Sequence, residues 1–337
     1  MFLISIFTLG VLSFISSYFL VMAAIPFLRR RKIVDVPTQR RFNTKVKPRG
    51  AGIFLIPLIL CIWIGVHLFL GTPNPAYLWG ISFAGFLLLI ISTIDDIKTI
   101  RAFPRLCVQI IACILGVYAL GDTLTFQGYL PFWGDKILTF FCLLWFTNLY
   151  NFMDGVDGIT GTQTTCITVG LASIMSLFSI GNPAFIYINI AIAGVALGFL
   201  IWNWAPSKIL IGDSGSIPLG FLIGWLLLYT IGEGYFWATA LLPLYYCMDA
   251  TITLIGRMLR REKIWEPHRL HFFHRPVPHA YAHNQIVKRI LGVNIILIAC
   301  AHWVAAQGEF LPILPALCIG LGATLGLMIH FYSKRKR

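Results

Sequence analysis

The chain has 337 residues, is 58% hydrophobic and only 12% charged, and carries a formal net charge of +13. That is about half the charge of an ordinary soluble domain, and its repeated apolar runs have the roughly 17–25 residue length that crosses a bilayer core. A soluble globule has no room to bury so many of them, so composition excludes one and points to an all-α polytopic membrane protein.

The predicted spans, in chain order, are 2–28, 51–70, 78–94, 105–121, 138–150, 162–180, 184–204, 216–232, 236–255, 286–306 and 311–331, eleven in all, the fifth short. The first lacks a basic leader region and is followed by Arg29, Arg30, Arg31 and Lys32. That order reads as a retained span, not a cleaved signal. The whole of 1–337 reads as one transmembrane domain, with cytoplasmic loops near 29–50, 95–104, 151–161, 205–215 and 256–285. Alternation puts segments 29–50, 95–105, 205–215, 256–290 and the tail on one side, and they hold 25 of the 26 Lys and Arg residues, Lys136 being the other. The positive-inside rule makes that side cytoplasmic, with the N-terminus outside and the C-terminus inside. The excess positive charge is then a topology signal with some attraction for anionic lipid and phosphate, not a nucleic-acid footprint. The eight cysteines are scattered without CxxC spacing and read as small apolar side chains.

Five stretches carry chemistry. "VDVPTQRRFNTKVKPRGAG" (34–52) is too long and basic for a plain turn, and Arg40, Arg41, Lys45, Lys47 and Arg49 could gather phosphate, although part of that charge is topological. In "ISTIDDIKTIRAFPRLCVQI" (91–110), Asp95 and Asp96 end an apolar span. Neighbouring side chains on a helix diverge by about 100°, which suits two roles, one on a cation and one on a reacting group. Arg105 could compensate them or clamp a phosphate; an interfacial cap would look the same. In "NLYNFMDGVDGITG" (148–161), Asn148, Asn151, Asp154 and Asp157 recur every three residues, which on a helix makes one drifting polar stripe. Its amides and carboxylates could read a base or sugar, or coordinate a hard cation. In "KILIGDSGSIPLG" (208–220), Asp213 opens a span whose free amides favour an anion or a capping serine. Finally, "REKIWEPHRLHFFHRPVPHAYAH" (261–283) holds five of the eight histidines, with His268, His271 and His274 spaced by three beside Arg269. Zinc is open on spacing alone, but imidazoles with a guanidinium fit phosphate better. His67, His302 and His330 read as structural.

Together these stretches resemble the polyprenyl-phosphate N-acetylhexosamine-1-phosphate transferases, the superfamily of WecA-type enzymes and MraY, from about residue 34 to 283. The resemblance implies transfer of a sugar 1-phosphate from a UDP-N-acetylhexosamine to undecaprenyl phosphate, giving UMP, with Mg²⁺ or Mn²⁺. It also implies a multi-pass protein of the bacterial inner membrane, in contact with membrane lipid and compatible with a homodimer, that initiates a surface glycan such as O-antigen. By the resemblance Asp95, Asp96, Asp154 and Asp157 are catalytic, and Asp213 and Asp96 hold the metal. Asn151, Asp154, Asp157, Arg269, His271 and His274 bind the nucleotide-sugar, and Arg105, Arg49 and Lys47 bind the lipid phosphate. Direct attack by the lipid phosphate, with Asp95 as base, is expected ahead of a phospho-enzyme. MraY carries three consecutive histidines where this chain has "HRLHFFH", which implies the WecA-like branch and leaves an MraY-like phospho-N-acetylmuramoyl-pentapeptide transferase, or a non-catalytic membrane scaffold or transporter, as the alternatives. Asn43, Val46 and Ala51 depart from the family's usual histidine, proline and glycine in the first loop.

Overall fold

The computed structural model describes residues 2–36, 46–71, 74, 76–98, 100–263, 268–277, 280–308 and 313–334. Arg40, Arg41, Asn43 and Lys45 lie outside the described residues. Twelve α-helices run in chain order among them: α1 (Phe2–Arg30), α2 (Gly52–Leu70), α3 (Ile81–Lys98), α4 (Ala102–Ala119), α5 (Phe132–Phe152), α6 (Ile159–Phe178), α7 (Ala184–Asn203), α8 (Asp213–Gly232), α9 (Phe236–Leu241), α10 (Leu244–Leu259), α11 (His283–Gln307) and α12 (Ile313–Ser333). The all-α expectation needs one addition, a two-stranded antiparallel pair of β1 (Val34–Asp35) with β2 (Lys47–Pro48), extended by an Arg49–Leu210 bridge.

Every expected span is helical, but the ninth is two helices, because Pro243 has no N–H to donate and its ring breaks the turn before it. The fifth is longer than expected, 21 residues. Asp135 and Lys136 made its start look polar, yet both are buried in the first turn. Eight of the helices are long and apolar enough to cross a membrane (α1, α2, α3, α4, α7, α8, α11 and α12). The molecule is a highly helical, multi-pass integral membrane protein.

Helix α8 is the central post. Every residue from Ser214 to Thr230 is buried, and α2, α3, α5 and α6 surround it. Small residues set the closest approaches, as they do where lipid supplies no hydrophobic drive between helices. Gly194 and Gly198 of α7 admit the α1 backbone at Gly10 and Phe14, where any side chain would clash. The Ser17 hydroxyl of α1 donates to the Val195 carbonyl at 2.7 Å. Gly52 of α2 meets Gly215 of α8 in the same way, which draws the loop before α2 onto the start of α8.

Candidate active site

That junction gathers the acidic stretches at one end of the bundle. Asp96, at the end of α3, accepts the backbone N–H groups of Asp213 (3.0 Å) and Ser214 (2.9 Å). It therefore caps α8, whose first amides have no partner within the helix. Gly212 lies at φ +75, and a side chain there would run into the Asp96 carboxylate; glycine is required for both reasons. Arg49 bridges Asp96 (Nε, 3.0 Å) and Asp213 (Nη2, 2.6 Å). Arg105, from the first turn of α4, bridges Asp95 and Asp213, the latter at 3.0 Å. Asp95 also accepts the Ile100 N–H at 2.6 Å, which closes the loop between α3 and α4.

Asp154 stands beside this cluster, within electrostatic reach of Arg49, Asp213 and Asp96. Burial pushes its carboxyl up to about 6, against a hydrogen bond from Thr160 and the charge of Arg49, which pull it down. Arg49 is raised in turn. Burial alone would lower it, but Asp213, Asp96 and Asp154 outweigh burial. Four carboxylates (Asp95, Asp96, Asp154 and Asp213) thus surround two guanidiniums, leaving two negative charges in excess when all are ionised.

The 148–157 stripe is not a helical stripe. Helix α5 ends at Phe152, and α6 starts after Gly158, which lies at φ +87. Asn148 and Asn151 sit on α5, while Asp154 and Asp157 sit in the turn that follows. Asn148 donates back to the Leu144 carbonyl at 2.9 Å, and Asn151 accepts from Ser216 of α8 at 2.7 Å. Asp157 is bound up in a separate knot. It takes Lys47 Nζ at 2.9 Å and the Ser207 hydroxyl and N–H at 2.7 and 3.1 Å, with His283 Nδ1 3.4 Å away. Burial raises its carboxyl, but the partners His283, Ser207 and Lys47 together hold it well below the usual carboxylate range. Lys47, expected at the lipid phosphate, is therefore paired to Asp157 and Ser207 (2.8 Å). Ser207, Thr160 and His283 were not singled out from sequence; no spacing rule marks them, since each acts through a distant partner.

The histidine segment docks against this turn. His274 packs on Gly155, where a side chain would collide with its ring. His271 stacks with His268, centroids 4.8 Å apart. Burial drives His268 down to about 3, and His274 well below the usual histidine value, so both are neutral imidazoles at neutral pH. His271 contacts Asp249 of α10 at 3.1 Å. Among the described residues no three His, Cys, Asp or Glu side chains form a ready-made metal site. An all-oxygen donor set with surplus negative charge nonetheless fits Mg²⁺, which is commonly held by one or two carboxylates with substrate phosphates completing the shell.

The fold and the site define the class, a polytopic helical membrane protein with a buried acidic centre at one end of its bundle. Residues 78–231 match Glycosyl transferase family 4. The chain is 26% identical over 306 residues to the probable undecaprenyl-phosphate N-acetylglucosaminyl 1-phosphate transferase of Bacillus subtilis (strain 168), covering 85% of this chain and 82% of that one. It is also 26% identical over 337 residues to the phospho-N-acetylmuramoyl-pentapeptide-transferase of Pelagibacter ubique (strain HTCC1062), covering 86% and 91%. Against the decaprenyl-phosphate N-acetylglucosaminephosphotransferase of Mycolicibacterium smegmatis it is 24% identical over 347 residues, covering 90% and 82%. These matches make the chain similar to glycosyl transferase family 4 over residues 78–231, and to the three named transferases along most of its length. They do not separate the WecA-like from the MraY-like branch. The localisation follows: a multi-pass protein consistent with the family's bacterial inner-membrane enzymes.

Proposed function

We propose that the chain moves an N-acetylated sugar 1-phosphate from its UDP carrier to undecaprenyl phosphate at the Asp95–Asp213 end of the bundle. The observation that carries this is the convergence of four carboxylates and two arginines from segments spread over residues 49–213. Arg49 and Arg105 can release carboxylates to take up phosphate, since each bridges two of them. Asp213 would hold the divalent cation, whose charge would offset that of the donor's diphosphate; Asp96 is occupied in capping α8 and positions Asp213. A lipid phosphate oxygen attacks the donor's β-phosphorus, and UMP leaves as the anhydride bond breaks. A proton on the attacking phosphate passes to Asp154. Burial supports Asp154 over Asp95 in that role, because Asp95 is already held by Arg105 and the Ile100 N–H.

Two donors stand against each other. The name phospho-N-acetylmuramoyl-pentapeptide-transferase recurs among the relatives, which favours UDP-N-acetylmuramoyl-pentapeptide. The "HRLHFFH" spacing in place of three consecutive histidines favours a plain UDP-N-acetylhexosamine, whose product would open a surface glycan such as O-antigen. The recurrence of that name supports testing the pentapeptide donor first. The test is purified protein in detergent with undecaprenyl phosphate and Mg²⁺, offered both donor types, with UMP release and lipid-linked product measured. Turnover with the pentapeptide donor alone supports the first reading, turnover with a hexosamine alone the second. Silence with every donor sinks the transferase proposal.

A further inference from the structure

The loop between α4 and α5 lies at the far end of the bundle from the acidic centre. Helix α4 starts beside Asp95, through Arg105, and α5 ends at the turn that carries Asp154. Their 18 and 21 residues each span about 30 Å, the thickness of a bilayer's hydrocarbon core. The loop is tied down through its backbone. Asp135 accepts the N–H groups of two of its residues, and Lys136 donates to the carbonyls of two more. Gln127 Nε2 donates to the Ile231 carbonyl of α8 at 3.1 Å, and the Phe126 ring lies 6.2 Å from that of Phe236 on α9. Little else in the loop needs water, since between Gly121 and Gly134 the one charged residue is Asp122.

Its aromatic side chains project outward. Tyr129 is 80% exposed and Trp133 74%, and Tyr118, in the last turn of α4, is 77% exposed. Phe132 joins them, edge-on to Trp133 at 5.4 Å between centroids. Trp79 before α3, Trp237 in the first turn of α9 and Trp303 near the end of α11 are exposed as well. Chain order puts these three at the same end, because α3 runs towards Asp96, α9 follows the end of α8, and α11 runs away from His283. Tryptophan and tyrosine combine an apolar ring with a polar group and collect where hydrocarbon meets headgroups. We propose that the α4–α5 loop is an interfacial anchor, its backbone held by Asp135 and Lys136 so that Tyr129, Phe132 and Trp133 seat in the headgroup boundary of the leaflet opposite the acidic centre. The partner is the lipid surface. A contact with a second copy would cover one side of the bundle, whereas the exposed rings come from α4, α5, α9, α11 and the start of α3. Seated there, the loop sets the depth of α4 and α5, whose other ends supply Arg105 and Asp154. The inference is independent of the sugar-transfer reading.

The test uses the full chain, labelled with fluorotryptophan, in nanodiscs of phosphatidylethanolamine and phosphatidylglycerol. Trp133→Phe assigns the Trp133 fluorine signal. Three relaxation agents are compared: a lipid nitroxide just below the headgroups, a lipid nitroxide at the end of the acyl chain, and a water-soluble gadolinium chelate. The expected result is that the Trp133 signal loses most intensity to the first. Greatest loss to the gadolinium chelate would put the loop in water, greatest loss to the chain-end nitroxide would put it in the hydrocarbon, and protection from all three would mean that protein covers it. Each of these overturns the proposal. In Asp135→Ala, with folding checked by a thermal melt, the loss to the gadolinium chelate should overtake the loss to the headgroup nitroxide. An unchanged order in the folded variant overturns the part given to the buried pair. If Asp135→Ala does not fold, Lys136→Met gives the same reading, and the wild-type order decides the anchor by itself.

Discussion

Two of the places where the described residues bury charge behave differently. At the start of α5, Asp135 accepts the N–H groups of Thr125 (3.0 Å) and Phe126 (2.7 Å), and Lys136 donates to the carbonyls of Gly121 (2.5 Å) and Thr123 (2.7 Å). One charge of each sign staples one loop, mostly through backbone. At the Asp95–Asp213 end, side chains pair with side chains across α3, α4, α8 and the loop before α2, and negative charge is left over. The first arrangement is complete as it stands, whereas the second is balanced only when cationic or proton-bearing groups arrive. Burial of a charged residue in a membrane protein is often a functional marker, but here it is the surplus of negative charge that separates a site from a staple.

The comparison can be broken most directly by exchanging the losses. Asp213→Asn should cut turnover by 10²-fold or more, the range for removing a preorganised electrostatic group, while the thermal midpoint stays near wild type. Asp135→Ala should do the opposite. It strands two amides and an adjacent lysine, costs about 1–3 kcal/mol, and leaves turnover per folded molecule unchanged. Thermal melts beside an assay of UMP release would distinguish the two, and a catalytic loss from Asp135→Ala would erase the distinction.

A second measurement sharpens the assignment of Asp154. Its carboxyl is pushed up to about 6 by burial. If its ionised form accepts a proton, kcat/KM should fall about tenfold per unit as pH drops below about 6. Thr160→Val removes a hydrogen bond that lowers that value, so it should move this limb to higher pH. The linked stability runs the other way. A carboxyl raised on folding stabilises the native state fully below its unfolded value near 4, and that contribution is lost as pH rises through about 6. An acid limb that stays near pH 4 in both proteins would remove Asp154 from proton transfer.

The smallest expected effect is at the knot around Asp157. Ser207→Ala removes one hydroxyl from a carboxylate that keeps Lys47 and a backbone N–H, so stability should drop by about 1 kcal/mol. Because burial is outweighed by its partners and the group is held low, Asp157 contributes stability above pH 4 that is lost only as pH falls further. Denaturant titrations of Ser207→Ala at pH 7 and pH 4 would show the loss at pH 7.

Much of the architecture follows from the chain alone. Apolar run length, with Pro and Gly at the boundaries, places the helices, because a backbone in lipid must satisfy its own hydrogen bonds and has little choice but the helix. The acidic motifs are legible for the related reason that charge is rare and costly in such a chain. What the sequence misreads is local. Helix α5 stops at Phe152, so the three-residue spacing of Asn148, Asn151, Asp154 and Asp157 does not become a stripe. Pro243 divides the ninth span, and Asp135 and Lys136 belong to a helix they seemed to interrupt. Which charges pair was decided only by tertiary structure. Arg49 meets Asp96 and Asp213, and His271 meets Asp249, across 22 to 164 residues, because Gly52, Gly155 and Gly212 let backbones and side chains close to distances that any Cβ would prevent. Pairing of this kind depends on packing geometry, and packing geometry is a property of several segments at once.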